Sequence, residues 1–382
     1  MPLSLLSLLV HAYVAWRLLP AMPGPAWVPV LLGAVLVVSA LVLPWGMMAR
    51  RVKHPVWSDA LAWAGLLFMG LFSSLLVLTV VRDVALLLAS GVQTVWPGWR
   101  STVMAFQTRS ALAVPLIAGG VTLWGLFNAR RRAAVVRVDV PIANLPASLH
   151  GFTIAQISDI HVGPTIKGPY LQAIVQAVNG LQADLVAVTG DLVDGSVRDL
   201  APHVAPLAQL VSKHGTYFVT GNHEYYSGAH AWVAELRRLG ITVLMNEHVV
   251  LRHGPLVPQA ELVLAGVADH GAHHFDPTHR SDPHAALAGA PASASVKVLL
   301  AHQPRSAEAA AQAGFDLQLS GHTHGGQFWP WNLFVPLQQP FTAGLHRWRD
   351  LWVYTSRGTG YWGPPKRFGA PSEITHLRLV PA

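Results

Sequence analysis

The sequence predicts two joined modules: an N-terminal bundle of about four transmembrane α-helices and a C-terminal α/β domain. Three observations predict this. Hydrophobic residues make up 52% of the 382-residue chain and charged residues only 12%, about half the charge of an ordinary soluble domain. The charge is also segregated: residues 1–132 carry a net +8 and residues 133–382 a net −1. Eighteen of the twenty histidines lie in the second part. This balance excludes an intrinsically disordered chain. The absence of cysteine excludes disulfide scaffolds and thiolate-ligated zinc or iron–sulfur sites. Because the basic excess belongs to the front third, no nucleic-acid partner is expected.

Four apolar runs, at about 2–19, 27–48, 60–81 and 111–127, each approach the length that crosses a hydrocarbon core roughly 30 Å thick. The first lacks a basic start and a small-residue cleavage site, so it reads as an uncleaved helix rather than a signal peptide. Its Arg17 lies near the end and can snorkel. The third run can continue through Arg82-Asp83 into 84–89, which makes that pair either a boundary or an internal ion pair. Basic clusters follow the second run (Arg50, Arg51, Lys53) and the fourth (Arg130, Arg131, Arg132, Arg137). Two spans separate the clusters, so both lie on one side, and the positive-inside rule makes that side the cytoplasm. The expectation is a multi-pass protein of the inner (cytoplasmic) membrane, in contact with membrane lipid, with its C-terminal domain in the cytoplasm. The expected boundaries are 1–132 for the membrane domain, 133–150 for a linker or first strand, and 151–382 for the second domain.

In that second domain, five short β-like runs each end in polar residues of metal-ligand type. Run 152–157 ends at Ser158-Asp159, run 185–189 at Gly190-Asp191, and run 217–220 at Gly221-Asn222-His223-Glu224. Run 296–301 ends at His302, and run 317–320 at Gly321-His322-Thr323-His324-Gly325-Gly326. Helical patterns at 170–181 and 229–239 lie between them. Strands alternating with helices indicate a layered α/β fold with ligands gathered beyond the carboxyl ends of the strands. The His/Pro/Asp-rich stretch 268–284 reads as a surface loop.

The ligand inventory has a physical logic. Two adjacent divalent metals can hold a phosphoryl oxygen between them and acidify a shared water. Such a centre needs oxygen ligands, imidazoles, and one carboxylate to bridge. Asp159, His161, Asp191, Asn222, His302, His322 and His324 supply those types, a mixture suited to manganese, iron or zinc rather than calcium or copper(I).

The ordered set Asp159-x-His161, Gly190-Asp191, Gly221-Asn222-His223-Glu224, His302 and Gly321-His322-Thr323-His324 resembles the calcineurin-like metallophosphoesterase superfamily over about residues 150–380. The tail, with 355–360 (Thr-Ser-Arg-Gly-Thr-Gly), 366–369 (Lys-Arg-Phe-Gly) and 371–374 (Pro-Ser-Glu-Ile), resembles its bacterial membrane-associated branch. That branch includes enzymes that split the pyrophosphate of UDP-diacylglucosamine. The resemblance implies a two-sheet β-sandwich flanked by helices. It also implies one metal on Asp159, His161 and His324, a second on Asn222, His302 and His322, and Asp191 bridging them. His223 is then the general acid or charge stabiliser at the leaving group, helped by Glu224 or Asp194, and a metal-bridging hydroxide attacks phosphorus in line.

One departure narrows the chemistry. Protein Ser/Thr phosphatases of this superfamily carry an Arg where Gly195 follows Asp194, so a phosphodiester or pyrophosphate is expected rather than a phosphoprotein. The expected partner is a phosphorylated small-molecule or lipid-linked substrate. Arg357 and Glu224 are candidate substrate contacts, and both Arg357 and Lys366-Arg367 can bind a second phosphate or a carboxylate of the fold. The loop histidines (His270, His273, His274, His279, His284) can face solvent, contact substrate or hold an extra metal. Phe328, Trp329, Trp331, Phe334 and Phe341 can pack in the core or line an acyl groove. The alternative from another class is a non-catalytic membrane sensor or scaffold whose domain binds phosphate without turnover.

Overall fold

The computed structural model describes residues 3–254 and 259–382; residue 2, where the first apolar run begins, lies outside the described residues. Contacts divide the chain into two units. One comprises the residues up to Phe127 together with Gly363–Lys366, and the other Asn128–Trp362 with Arg367–Ala382.

The first unit is built on α1 (Leu3–Leu18), α2 (Trp27–Met47), α3 (Pro55–Val95) and most of α4 (Arg100–Arg130). All four are long and apolar enough to cross a membrane. Their exposed faces carry Val30, Leu87, Leu116 and Leu123, while Ser7, His11, Ser39, Thr79 and Arg82 are buried. That inversion suits a hydrocarbon solvent, where polar side chains must turn inward. His11 stacks on Phe72 and places Nδ1 2.7 Å from the Ser7 carbonyl and Nε2 2.8 Å from Ser39 Oγ. Gly46 and Gly65 let α2 and α3 touch backbone to backbone: a Cβ on either would lie 2.4 Å from the other's Cα.

α3 is 41 residues long and passes straight through Arg82-Asp83, because those charges are satisfied inside the bundle. Asp83 accepts from Arg17 Nε at 2.7 Å, Arg17 Nη2 at 3.0 Å and the Tyr13 hydroxyl at 2.7 Å. Arg82 donates to Ser110 Oγ and the Gln107 carbonyl, each at 2.9 Å. The pair is therefore an internal ion pair. Lys366 also belongs to this unit: its ammonium donates to the Gly70 carbonyl at 2.8 Å, Ser74 Oγ at 2.5 Å and Thr122 Oγ1 at 3.1 Å.

The second unit holds two six-stranded mixed sheets. The first runs β1 (Ala134–Ile142), β12 (Glu373–Pro381), β2 (Thr153–Ile157), β3 (Leu185–Val188), β4 (Thr216–Phe218), β5 (Thr242–Val243). The second runs β10 (Gly344–Trp348), β11 (Leu351–Thr355), β9 (Leu317–Ser320), β8 (Val296–Leu300), β7 (Ala260–Gly266), β6 (Glu247–His253). Neighbours from β2 to β5 are parallel, as are β11, β9, β8 and β7.

Alternation along the strands sorts side chains between layers. Ile154, Leu185 and Ala187 join Leu264, Val298 and Leu319 in the core between the sheets. Ala155, Ile157, Val186 and Val188 point the other way, into a core shared with α5 (Gly168–Asn179) and α6 (Val197–Val204). The short α7 (Asn222–Ser227) leads into α8 (Ala229–Arg238), whose Trp232 and Leu236 complete that layer. On the far side, Ala265, Leu299 and Val353 meet Ala286 of α9 (Pro283–Ala286) and Ala310 of α10 (Ala307–Ala313). The domain is thus the helix-flanked two-sheet sandwich that the family resemblance implied, and β1 falls within residues 133–150.

Candidate metal centre

Five parallel strands deliver the polar residues. Asp159 and His161 follow β2, Asp191 follows β3, Asn222 and His223 open α7 after β4, His302 follows β8, and His322 and His324 follow β9. Turning sharply off a strand end forces an unusual backbone. Asp159 (φ 53°), His161 (57°), Asp191 (51°), His322 (71°) and His324 (52°) all occupy the left-handed region, which costs an L-residue roughly 1–2 kcal/mol. Ladder-like bonds hold them there: Asp159 N–H donates to the Gly190 carbonyl at 3.0 Å and His161 N–H to the Asp191 carbonyl at 3.1 Å.

The side chains converge in two sets: Asp159, His161 and His324, and Asp191, His302 and His322, with the ligand atoms of each set within 4.8 Å of one another. Asp191 Oδ2 stands between them, 3.1 Å from His302 Nε2 and 3.9 Å from His161 Nε2. His161 Nε2 lies 3.1 Å from His324 Nε2, and His322 Nδ1 lies 3.2 Å from His302 Nε2.

The outer atoms of these groups orient the inner ones. His161 Nδ1 donates to Asp194 Oδ1 at 3.2 Å, and His302 Nδ1 donates to the Thr189 carbonyl at 2.8 Å. Each ring thereby aims Nε2 inward, the arrangement that fixes a metal-binding tautomer. Arg367 Nη2 lies 3.0 Å from His324 Nδ1; a guanidinium only donates, so His324 is not an imidazolium. Burial, reinforced by Arg367, holds the His324 pKa well below its ordinary value, and burial with His302 close by takes His322 down to about 3. Both rings are neutral, as ligands must be, but with Nδ1 accepting from Arg367 the His324 proton sits on the inward Nε2, so that ring has to turn over to offer a metal its lone pair.

The centre fits divalent cations on two grounds. His302 Nδ1 already donates to Thr189, so His302 Nε2 and Asp191 Oδ2 are two acceptors facing each other at 3.1 Å. Without another cation they require a proton on His302, and Asp191, overcoming the effect of burial, raises the His302 pKa well above its ordinary value. A metal ion meets the same demand. Asn222 Oδ1, moreover, is buried with no hydrogen-bond partner among the described residues.

His223 stands beside the ligands. Its backbone N–H donates to Asp191 Oδ1 at 2.8 Å, and its Nδ1 lies 2.5 Å from Asp194 Oδ1. Burial opposes its charged form, but the Asp194 hydrogen bond and the Asp191 charge prevail and raise its pKa. Of the two carboxylates expected to help His223, Asp194 is the one in contact. Glu224 is instead buried, accepting from the backbone N–H groups of Gly221 (2.7 Å), Leu192 (2.8 Å) and Asp191 (3.0 Å). Burial and the Asp191 charge push its carboxyl up to about 8, against the pull of those donors.

Arg357 is also engaged elsewhere: its Nε donates to Glu373 Oε2 at 2.7 Å. Arg367 is fully buried and donates to the carbonyls of Arg357 (2.7 Å) and His324 (2.9 Å), so it braces the centre and does not face substrate. Phe328 is buried, whereas Trp329, Trp331 and Phe334 are exposed. Arg367, which the 366–369 motif singled out, is a positioning group that bonds carbonyls and not a phosphate, and Thr189 is a positioning group without a distinguishing pattern in the local sequence.

A helix-flanked double sheet with carboxylate–imidazole sets at its strand ends defines the class: a metal-dependent phosphoesterase domain. Residues 152–326 match the family model described as calcineurin-like phosphoesterase. A zebrafish (Danio rerio) "Transmembrane protein with metallophosphoesterase domain" is 39% identical over 289 residues, covering 74% of this chain and 64% of that protein. Its namesake in cattle (Bos taurus) is 41% identical over 298 residues, covering 75% of this chain and 67% of that protein. An uncharacterized metallophosphoesterase of Helicobacter pylori is 40% identical over 233 residues, 60% of each chain.

The chain belongs to the calcineurin-like metallophosphoesterase family. It spans about 60–67% of the length of these curated relatives. Relatives occur in animals and bacteria alike, so similarity does not single out the bacterial UDP-diacylglucosamine branch. Four apolar helices and relatives named as transmembrane proteins mark the chain as a membrane protein.

Proposed function

We propose that this protein is a membrane-anchored phosphohydrolase that uses two divalent ions to cleave a phosphodiester or pyrophosphate bond. The observation that carries this reading is the place of Asp191 Oδ2 between the two ligand sets, 3.1 Å from His302 Nε2 and 3.9 Å from His161 Nε2. Asp159, His161 and His324 hold one ion, Asn222, His302 and His322 the other, and Asp191 serves both. Ions of the manganese, iron or zinc type bound there polarise phosphoryl oxygens and acidify water.

The remaining work falls to the chain. His223 gives a proton to the leaving-group oxygen, and Asp194 both aims the ring and favours its protonated form. Glu224 clamps the backbone N–H groups of Gly221, Asp191 and Leu192, which sets the direction of Asp191. Gly195 leaves no arginine beside Asp194 to clamp a phosphomonoester, which favours a diester or pyrophosphate. A substrate carried at a lipid surface, such as a lipid-linked nucleotide sugar, suits a membrane-anchored site, and the basic clusters flanking α2 and α4 favour a cytoplasmic domain.

The test uses the full chain in detergent with manganese. It should hydrolyse bis(p-nitrophenyl) phosphate faster than p-nitrophenyl phosphate and hold about two manganese ions in this centre. Asp191→Ala should abolish both properties. Full turnover by that variant would sink the mechanism, and a metal-free, inactive wild type would leave the sensor or scaffold reading. Incubation of membranes with UDP-diacylglucosamine tests the lipid-linked substrate.

A further inference from the structure

A second cluster of ligand-type side chains lies outside the centre just described. His230 sits in the first turn of α8, and Asp276 and His279 belong to the histidine-rich stretch 268–284. Asp276 caps the single 3-10 turn Pro277–His279, its Oδ1 accepting from Thr278 N at 2.9 Å and Thr278 Oγ1 at 2.6 Å. Asp276 precedes this turn and His279 closes it, which brings Asp276 Oδ2 within 3.8 Å of His279 Nε2. Asp276 Oδ2 is left for His230 Nε2 at 3.0 Å and His279 Nε2 at 3.8 Å. His279 is held from behind as well: the Tyr225 hydroxyl lies 2.9 Å from its Nδ1.

We propose that His230, Asp276 and His279 form a peripheral site for a divalent transition-metal ion of the zinc class. Three features support it. The three inner atoms lie within 4.8 Å of one another, while ligand atoms around a tetrahedral zinc stand about 3.3 Å apart. The His279–Asp276 separation of 3.8 Å is too long for a hydrogen bond, so pairing of His230 with Asp276 does not account for the third group. Each ligand from the turn also has its other polar atom fixed by a partner, Thr278 for Asp276 and Tyr225 for His279, the outer support that metal ligands require.

Two imidazoles and one carboxylate leave a fourth position to water, and the side chain of His230 is 75% exposed, so the ion has an open path. Occupancy ties the loop 268–284 to α7 and α8.

The full chain in detergent is stripped with chelator, equilibrated with zinc, desalted and assayed for bound metal. His230→Ala should hold about one equivalent fewer than wild type and keep its manganese-dependent phosphodiesterase activity. The same loss should appear between Asp191→Ala and the Asp191→Ala/His230→Ala double variant, which separates this site from the main centre even if that centre proves inert. Cobalt should add a visible absorption band that His230→Ala and His279→Ala both remove. Equal zinc content with and without His230 in the Asp191→Ala background, or a cobalt band indifferent to both histidines, overturns the proposal.

Discussion

His223 Nδ1 lies 2.5 Å from Asp194 Oδ1, while the same oxygen stands 3.2 Å from His161 Nδ1. One carboxylate thus orients both a metal-type ligand and the candidate proton donor. A proton donor matters most when the leaving group is a poor one. His223→Ala should therefore lower turnover of an alkyl phosphodiester about 10²–10⁴-fold and that of a p-nitrophenyl diester far less. Asp194→Asn should show the same leaving-group pattern with a smaller loss, its metal content being measured in parallel. Equal losses on both substrates would remove His223 from the acid role.

Gly321 leaves no room for a side chain. A Cβ there would lie 2.0 Å from Ser158 Oγ and 2.2 Å from Asp159 Oδ2. Gly321→Ala must push Asp159 away from His322 N–H, to which its Oδ1 is bonded at 2.9 Å. Overpacking of this kind costs about 1–3 kcal/mol. The expected result is a lower melting temperature together with lost metal, read by calorimetry and metal analysis. A variant with wild-type metal content would contradict the tight packing of Asp159 against the β9 turn.

The residues of the candidate centre were legible as a group because chemistry and chain position coincide: apolar runs end in Asp159, Asp191, Asn222, His302 and His322, and a parallel strand exposes its C-terminal end. The same logic located β2, β3, β4, β8 and β9. Three things were not legible. The left-handed backbone of Asp159, His161, Asp191, His322 and His324 is imposed by contacts between loops, and no local glycine or asparagine pattern announces it. The pairing of β1 with β12 joins Ala134 to Glu373, a separation that periodicity cannot see. Glu224 and Arg357 looked available for substrate because their partners, three backbone N–H groups and Glu373, are brought near only by the folded sheets. In the membrane unit, the apolar run near 60–81 understated α3, since the sequence leaves Arg82 and Asp83 as either a boundary or an internal pair until Arg17, Tyr13 and Ser110 are placed around them.

That network gives a stability prediction for the helical unit. Asp83 is shared by Arg17, Arg82 and Tyr13, so its removal leaves two guanidinium groups without a carboxylate. Asp83→Ala should destabilise the protein in detergent more than Arg17→Ala does. The double variant should be more stable than the sum of the two losses predicts, by a coupling of about 0.5–3 kcal/mol. Thermal unfolding of the four proteins measures this. Simple additivity would show that the Arg17–Asp83 contact contributes nothing.

A histidine pair away from the metal centre gives a dependence on pH. His214 Nε2 lies 3.0 Å from His253 Nδ1, and both rings pack against Phe152. Burial lowers the pKa of each from 6.5 and outweighs the opposing charge of Asp184; His253 and Lys213 add to the effect on His214, and Lys213 adds to that on His253. With folded-state values below 6.5, the unfolded chain binds more protons than the native one in the window just under that pH. Stability therefore rises with pH there. The pair's contribution is whole above 6.5 and is lost as the pH falls through the lowered values. The melting temperature of the wild type should drop on acidification through this window, and the His214→Gln/His253→Gln variant should show a shallower fall. Parallel curves for the two proteins would mean that the pair stays neutral or is equally protonated in both states, and the pH sensitivity would have to come from other groups.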